Sequence, residues 1–210
     1  PSSVSIRRIS SDHNGKIWAV KNNSKDIYYQ SSFNGKFIRA KIDKKASVVT
    51  DLTIDKSGNV FVAARDIFKW NYKKRKFELY LKKNGPFIRI SSGIVGTLWA
   101  INDKGIIYEL IGGKIYKRPK VGKFIANDID ISTNGDVFIT SEIKKTTKSI
   151  TKVIIKPDPK KRGKTIKETI TEINTTIDQC DLYRLNHLNG KIERVFKDKS
   201  IFAEIISVST

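Results

Sequence analysis

The residues in this sequence that could carry out chemistry are few and scattered. Among 210 residues there are two histidines, His13 and His187, and one cysteine, Cys180. Each histidine falls in an expected turn, and neither belongs to a metal-ligand spacing. Cys180 opens an expected strand, the setting of a buried structural thiol rather than of an activated nucleophile. Asp12 and Asp55 occupy equivalent turns, where a carboxylate caps nearby backbone N–H groups. There is no glycine-rich phosphate loop, and no pair of carboxylates recurs through the repeats described below. These patterns define no reaction, no cofactor and no metal centre, so the expectation is a protein that is not an enzyme.

Recognition of an anion is the one chemistry that the composition favours. Lys and Arg number 41 against 21 Asp and Glu, a formal charge of +20. Such a field suits an acidic protein, an acidic lipid, lipopolysaccharide or nucleic acid. A lysine-rich solvated surface accounts for the same count, because the lysines are spread along the chain. Nucleic acid fits less well than the others, since no base-stacking aromatics interleave with the basic run. That run is Lys160, Lys161 and Arg162, followed by Lys164, with Lys144, Lys145 and Lys148 upstream.

The elements that must position these residues repeat about every 40 residues, the spacing of a four-stranded propeller blade. Gly15, Gly58, Gly96 and Gly135 anchor the alignment. Three residues after each stands an aromatic: Trp18, Phe61, Trp99 and Phe138. Six residues before each stands an aliphatic: Ile9, Leu52, Ile90 and Ile129. The turn-formers SSDHN, TIDKS and DISTN precede three of the glycines, which supply the positive φ of a tight hairpin. Ile94 and Val95 precede the other, so that turn must differ. The apolar runs IWAV, VFVA, LWAI and VFI follow the glycines, and their continuity predicts strands buried on both faces. Third strands follow in DIYY, DIFKW, GIIYEL and CDLYRL, and fourth strands in GKFIRAKI, KRKFELYL, GGKIYKR and NGKIERVF.

The fold expected is therefore all-β: a single β-propeller domain over residues 1–210, of four-stranded antiparallel blades. A lone meander leaves both faces apolar, so the blades must stack. The aromatics are expected between blades, with Trp70, at the exit of its strand, as the one on the surface. Ala203 to Thr210 reads as the first strand of a fifth repeat. With a Pro-Ser-Ser start and no Met, this points to a processed segment of a larger propeller or to part of a larger assembly. No apolar run approaches the roughly 20 residues that a spanning helix needs.

The fourth repeat departs from its relatives between residues 142 and 178. Two Thr/Ile-rich arms flank the turn PDPKKRG, which reads as a long basic β-hairpin inserted between second and third strands. Thr151, Val153 and Ile155 alternate with Lys152, Ile154 and Lys156 along the first arm, and Ile166, Ile170 and Ile173 are the answering apolar positions of the second. In a blade whose strands run from inside to outside, this loop shares a face with the short turns KNNSKD and NDKG. A basic, protruding, non-repeating element there is the candidate contact point, with Lys160, Lys161, Arg162 and Lys164 near its tip and Lys144, Lys145 and Lys148 near its base. A solvated loop is the alternative.

The stretch ISSGIVGTLWAINDKGIIYEL, from Ile90 to Leu110, resembles the tectonin or tachylectin-type propeller repeat. That family's pattern is an Ile-Ser strand, then Gly-Thr-Val-Trp, a short turn and an Ile-Tyr strand. IRRISSDHNGKIWAV is similar, while DLTIDKSGNVFVA and DIDISTNGDVFIT carry Phe in place of Trp and also resemble repeats of bacterial sensor domains. The family's Trp near the last strand is replaced by Phe37, Phe77, Ile115 and Ile192. The resemblance implies a binding module, either a lectin for glycan or lipopolysaccharide or a protein-interaction domain. Its matching residues are framework positions, so no ligand site transfers with it.

Overall fold

A computed structural model of the chain describes residues 5–12, 14–30, 32, 35–43, 45–82, 85–93, 96–118, 125–132, 134–141, 144–157, 165–179, 182–185 and 192–196. The first sheet contains β1 (Ile6–Ser11), β2 (Ile17–Lys21), β3 (Ile27–Gln30) and β4 (Phe37–Ala40). The second contains β5 (Asp51–Ile54), β6 (Val60–Ala63), β7 (Ile67–Asn71) and β8 (Lys76–Leu81). The third contains β9 (Phe87–Ser92), β10 (Leu98–Asn102), β11 (Ile107–Ile111) and β12 (Lys114–Lys117). Between them, β13 (Ala126–Ile131), β14 (Val137–Ser141), β17 (Leu182–Leu185) and β18 (Ile192–Phe196) make the fourth. The strands of each sheet pair antiparallel, with consecutive neighbours in the first three sheets and with β14 pairing β17 across the inserted pair in the fourth. A separate unit is the pair β15 (Lys144–Pro157) and β16 (Thr165–Gln179). No helix of the described residues is long and apolar enough to cross a membrane. The expected fifth-repeat strand, Ala203 to Thr210, lies outside the described residues.

Local chemistry fixes the first hairpin of each sheet. Gly15, Gly58, Gly96 and Gly135 all have positive φ, from 69° to 89°, where a side chain would be strained. The Asp12 carboxylate accepts the N–H groups of Asn14 at 3.0 Å and Lys16 at 2.9 Å. Asp55 repeats the device, accepting the Asn59 N–H at 2.8 Å. The third turn differs in having no carboxylate cap: Gly93 stands where the first two have aspartate, while its N–H donates to the Thr97 carbonyl at 2.6 Å just as the Asp12 and Asp55 N–H groups donate to the Lys16 and Asn59 carbonyls.

The second strands are buried nearly throughout, in line with their unbroken apolar runs. Three apolar clusters lie between consecutive sheets. In each, one row of the later sheet packs against an aromatic of the earlier one. Leu52, Val62 and Phe68 meet Trp18; Ile90, Ala100 and Tyr108 meet Phe61; Ile129 and Ile139 meet Trp99. The row runs straight across each sheet because its members are directly paired.

Trp70 corrects the sequence-based expectation, being only 4% exposed. Phe77 pairs with it across β7 and β8, and both rings fold against Trp18, at centroid distances of 5.1 Å for Trp70 and 5.7 Å for Phe77. Tyr29, paired with Trp18 across β2 and β3 of the first sheet, stacks on it at 4.9 Å. Edge and offset contacts of this kind contribute about 0.5–1.5 kcal/mol each beyond area burial. The position at a strand exit is thus overridden by an aromatic cross-strand neighbour.

Candidate functional site

The innermost strands β1, β5, β9 and β13 carry a charge pattern that the search for identical recurring residues misses. Seven residues before each anchor glycine stand Arg8, Asp51, Arg89 and Asp128, alternating in sign. Arg8, Asp51 and Asp128 help line a cavity of about 260 Å³, together with Ser10, Thr53, Ser91 and Asp130. Strand alternation explains the lining: in the second, third and fourth sheets the aliphatic between the charged residue and the next polar one, Leu52, Ile90 or Ile129, turns into an apolar cluster.

These groups are joined across sheets. Arg8 Nε lies 3.1 Å from Asp51 Oδ1, tying the first sheet to the second. Asp51 also accepts the Leu52 N–H at 2.9 Å and, through Oδ2, the Ile90 N–H of the third sheet at 3.0 Å. Arg89 Nε donates to Asp128 Oδ1 at 2.9 Å, and the Ser91 hydroxyl donates to Asp130 Oδ1 at 2.9 Å. Between the second and third sheets the hydroxyls of Thr53 and Ser92 are 3.0 Å apart, and Ser92 donates to the Ile54 carbonyl at 2.9 Å.

Burial pushes the Asp51 carboxyl up to about 6, against the opposing pull of Arg8, the Ile90 N–H, Arg89 and the Leu52 N–H. A buried carboxylate is stable here only because it is paired and accepts backbone hydrogen bonds. The wall can therefore hold charge, exchange one proton near pH 6 and lock sheets together. Among the described residues, no group of three or more His, Cys, Asp or Glu side chains could hold a metal ion.

The basic residues singled out from sequence belong to the other unit. Lys144, Lys145 and Lys148 lie on β15, across from Gln179, Ile177 and Asn174 of β16. Lys160, Lys161, Arg162 and Lys164 lie outside the described residues. The register, left open by the sequence, sets Ile166, Ile170 and Ile173 across from Lys156, Lys152 and Ser149. Their uneven spacing could not fix the register. His13, His187 and Cys180 also lie outside the described residues.

Four antiparallel four-stranded sheets, stacked through apolar clusters with their first strands around one cavity, are the blades of a β-propeller. No protein-family model matches the chain, and no curated protein matches it. Its structure is similar to that of a streptogramin B lyase, with a TM-score of 0.62, 14% identity, and 93% of this chain and 56% of the other covered. It is likewise similar to virginiamycin B lyase from Staphylococcus aureus, with a TM-score of 0.59, 17% identity and coverage of 91% and 69%. The RRP9 WD40 repeats match with a TM-score of 0.54, 11% identity and coverage of 67% and 46%. The chain thus spans 56% of the length of the streptogramin B lyase chain. At these identities the likeness shows the fold alone, which lyases and WD40 repeats share.

Proposed function

We propose that this chain is a non-catalytic recognition propeller of the tectonin type, engaging an anionic or protein partner through the face that bears the basic hairpin. The contact residues are Lys160, Lys161, Arg162 and Lys164 near the tip, with Lys144, Lys145 and Lys148 near the base. One observation carries the reading. Among the described residues five carboxylates are buried, Asp51, Asp55, Glu109, Asp128 and Asp136, and no lysine or arginine is. These five acids are turned inward, so the surface is more basic than the formal charge of +20 already implies. The resemblance of ISSGIVGTLWAINDKGIIYEL to tectonin repeats supports a glycan or lipopolysaccharide as the anionic partner.

The test is the full chain with Lys160→Ser, Lys161→Ser and Arg162→Ser, titrated against lipopolysaccharide, acidic-lipid vesicles and a glycan array. Each cation near an acidic lipid surface contributes about 1 kcal/mol, so the triple variant should bind vesicles roughly 100-fold more weakly. Unchanged affinity for every ligand would remove the hairpin from the site. A blank glycan array at low and moderate salt would remove the lectin form of the reading.

A further inference from the structure

Three aromatic rings converge on the ammonium of Lys16. Its Nζ lies 4.9 Å from the ring centre of Tyr29, 5.3 Å from that of Trp18 and 5.5 Å from that of Tyr72. All three fall within the roughly 6 Å over which a π face attracts a cation. Trp18 and Tyr29 belong to the first sheet, and Tyr72 follows β7 of the second. The rings are held by contacts that do not involve the lysine. Arg75 donates to the Tyr29 hydroxyl at 3.1 Å, and the Tyr72 hydroxyl donates to the Gly58 carbonyl at 2.6 Å. Trp70 meets both Trp18 and Tyr72 edge-on. Lys69 over Phe61 and Arg118 over Trp99 have one ring each, so the Lys16 setting is a cage and theirs are not.

The cage suits a different cation better than the one inside it. A lysine ammonium is strongly hydrated and carries three N–H donors. Among the described residues Lys16 Nζ makes no hydrogen bond or ion pair, only the three ring contacts. We propose that the cage recognises a trimethylated lysine side chain of another protein, and that Lys16 closes it until that ligand takes its place. Methylation keeps the charge and removes every N–H, so nothing is left unsatisfied against the rings. The passage to the rings already admits a lysine stem. Trp18 and Tyr29 are buried, while Tyr72 is 50% exposed and forms the rim. Burial pushes the Tyr72 phenol above its ordinary range, and the Asp12 and Asp55 carboxylates push it further. Both carboxylates therefore stand near the rim and add negative potential where a cation enters. They disfavour a choline lipid, which carries the same cation with a phosphate close behind it. The ligand is a cation, so this site is independent of the anionic recognition assigned to the hairpin.

Calorimetric titration of the full chain with a single-lysine tripeptide, trimethylated or unmodified, tests this up to millimolar concentrations. The parent should prefer the trimethylated form. Lys16→Ala should bind it roughly tenfold more tightly than the parent, because the internal competitor is gone. In the Lys16→Ala chain the preference for the trimethylated form should also be roughly tenfold. Tyr72→Ala should abolish that preference, and Tyr72→Phe, which keeps the ring, should retain it. Lys16 and Tyr72 both reach solvent, so these variants should keep the circular dichroism of the parent. Equal affinity for the two tripeptides in the Lys16→Ala chain would overturn the proposal, as would a preference that survives Tyr72→Ala. Affinity unchanged by Lys16→Ala would remove the lysine as the closing element. Binding to phosphatidylcholine vesicles with none to the trimethylated tripeptide would overturn the assignment to a protein ligand.

Discussion

Ion pairs occur both on the cavity wall and on the outer surface, but in opposite settings. On the wall, Arg89 and Asp128 are 17% and 7% exposed and held at 2.9 Å. On the outer surface, Lys74 meets Glu78 at the same 2.9 Å with both side chains in contact with water. Equal distances do not mean equal weight. Water screens the outer pair, whereas on the wall either partner left alone keeps a charge that it cannot solvate. The propeller thus uses some of its acids as internal ties, whereas no lysine is buried among the described residues.

The largest effect should come from breaking a tie on the wall. Arg89→Ala removes the arginine that faces the buried Asp128 carboxylate and should destabilise the chain by about 3–5 kcal/mol in urea unfolding at neutral pH. A loss no greater than that of a surface substitution would erase the distinction. The next effect concerns pH. Because the folded chain holds the Asp51 carboxyl at about 6 rather than 3.8, the folded state binds more protons between those values. The Asp51 contribution therefore favours folding at low pH and diminishes as pH rises through about 6, by roughly 3 kcal/mol in all. Asp51→Asn should lack this component, so its stability relative to the parent should improve from pH 4 to pH 7. Parallel stability profiles would refute the assignment. The smallest effect is expected outside: Lys74→Ala should leave the unfolding midpoint within measurement scatter.

The frame of the fold was legible because it depends on short-range chemistry. Glycines at positive φ, aspartates capping turns and unbroken apolar runs each report on their own neighbourhood, and together they placed all four blades. Trp70 was misjudged because its burial depends on Phe77 beside it and on Trp18 in another sheet. The cavity wall was harder still. Arg8, Asp51, Arg89 and Asp128 occupy one repeat position, but opposite charges in alternate repeats look like the lack of a pattern when identical residues are sought. Alternation of sign at a fixed offset from the glycines is the signal that could have found them. The hairpin arms were legible as strands, and their register was not, since threonine and isoleucine fit many alignments equally well.

The bond from the Ile90 N–H to Asp51 spans 39 residues of chain, and that span has a consequence in time. A ribosome adds roughly 5–20 residues per second, whereas a hairpin forms in about 1–10 microseconds. The second sheet, whose last strand ends at Leu81, can therefore form roughly 0.5–2 s before Ile90, which completes its hydrogen bonding, has been made. Throughout that interval its apolar row facing the third sheet is bare, and the same holds for each nascent blade in turn. A surface dense in lysine keeps such half-finished chains apart by mutual repulsion, a use of the charge that precedes any encounter with a ligand.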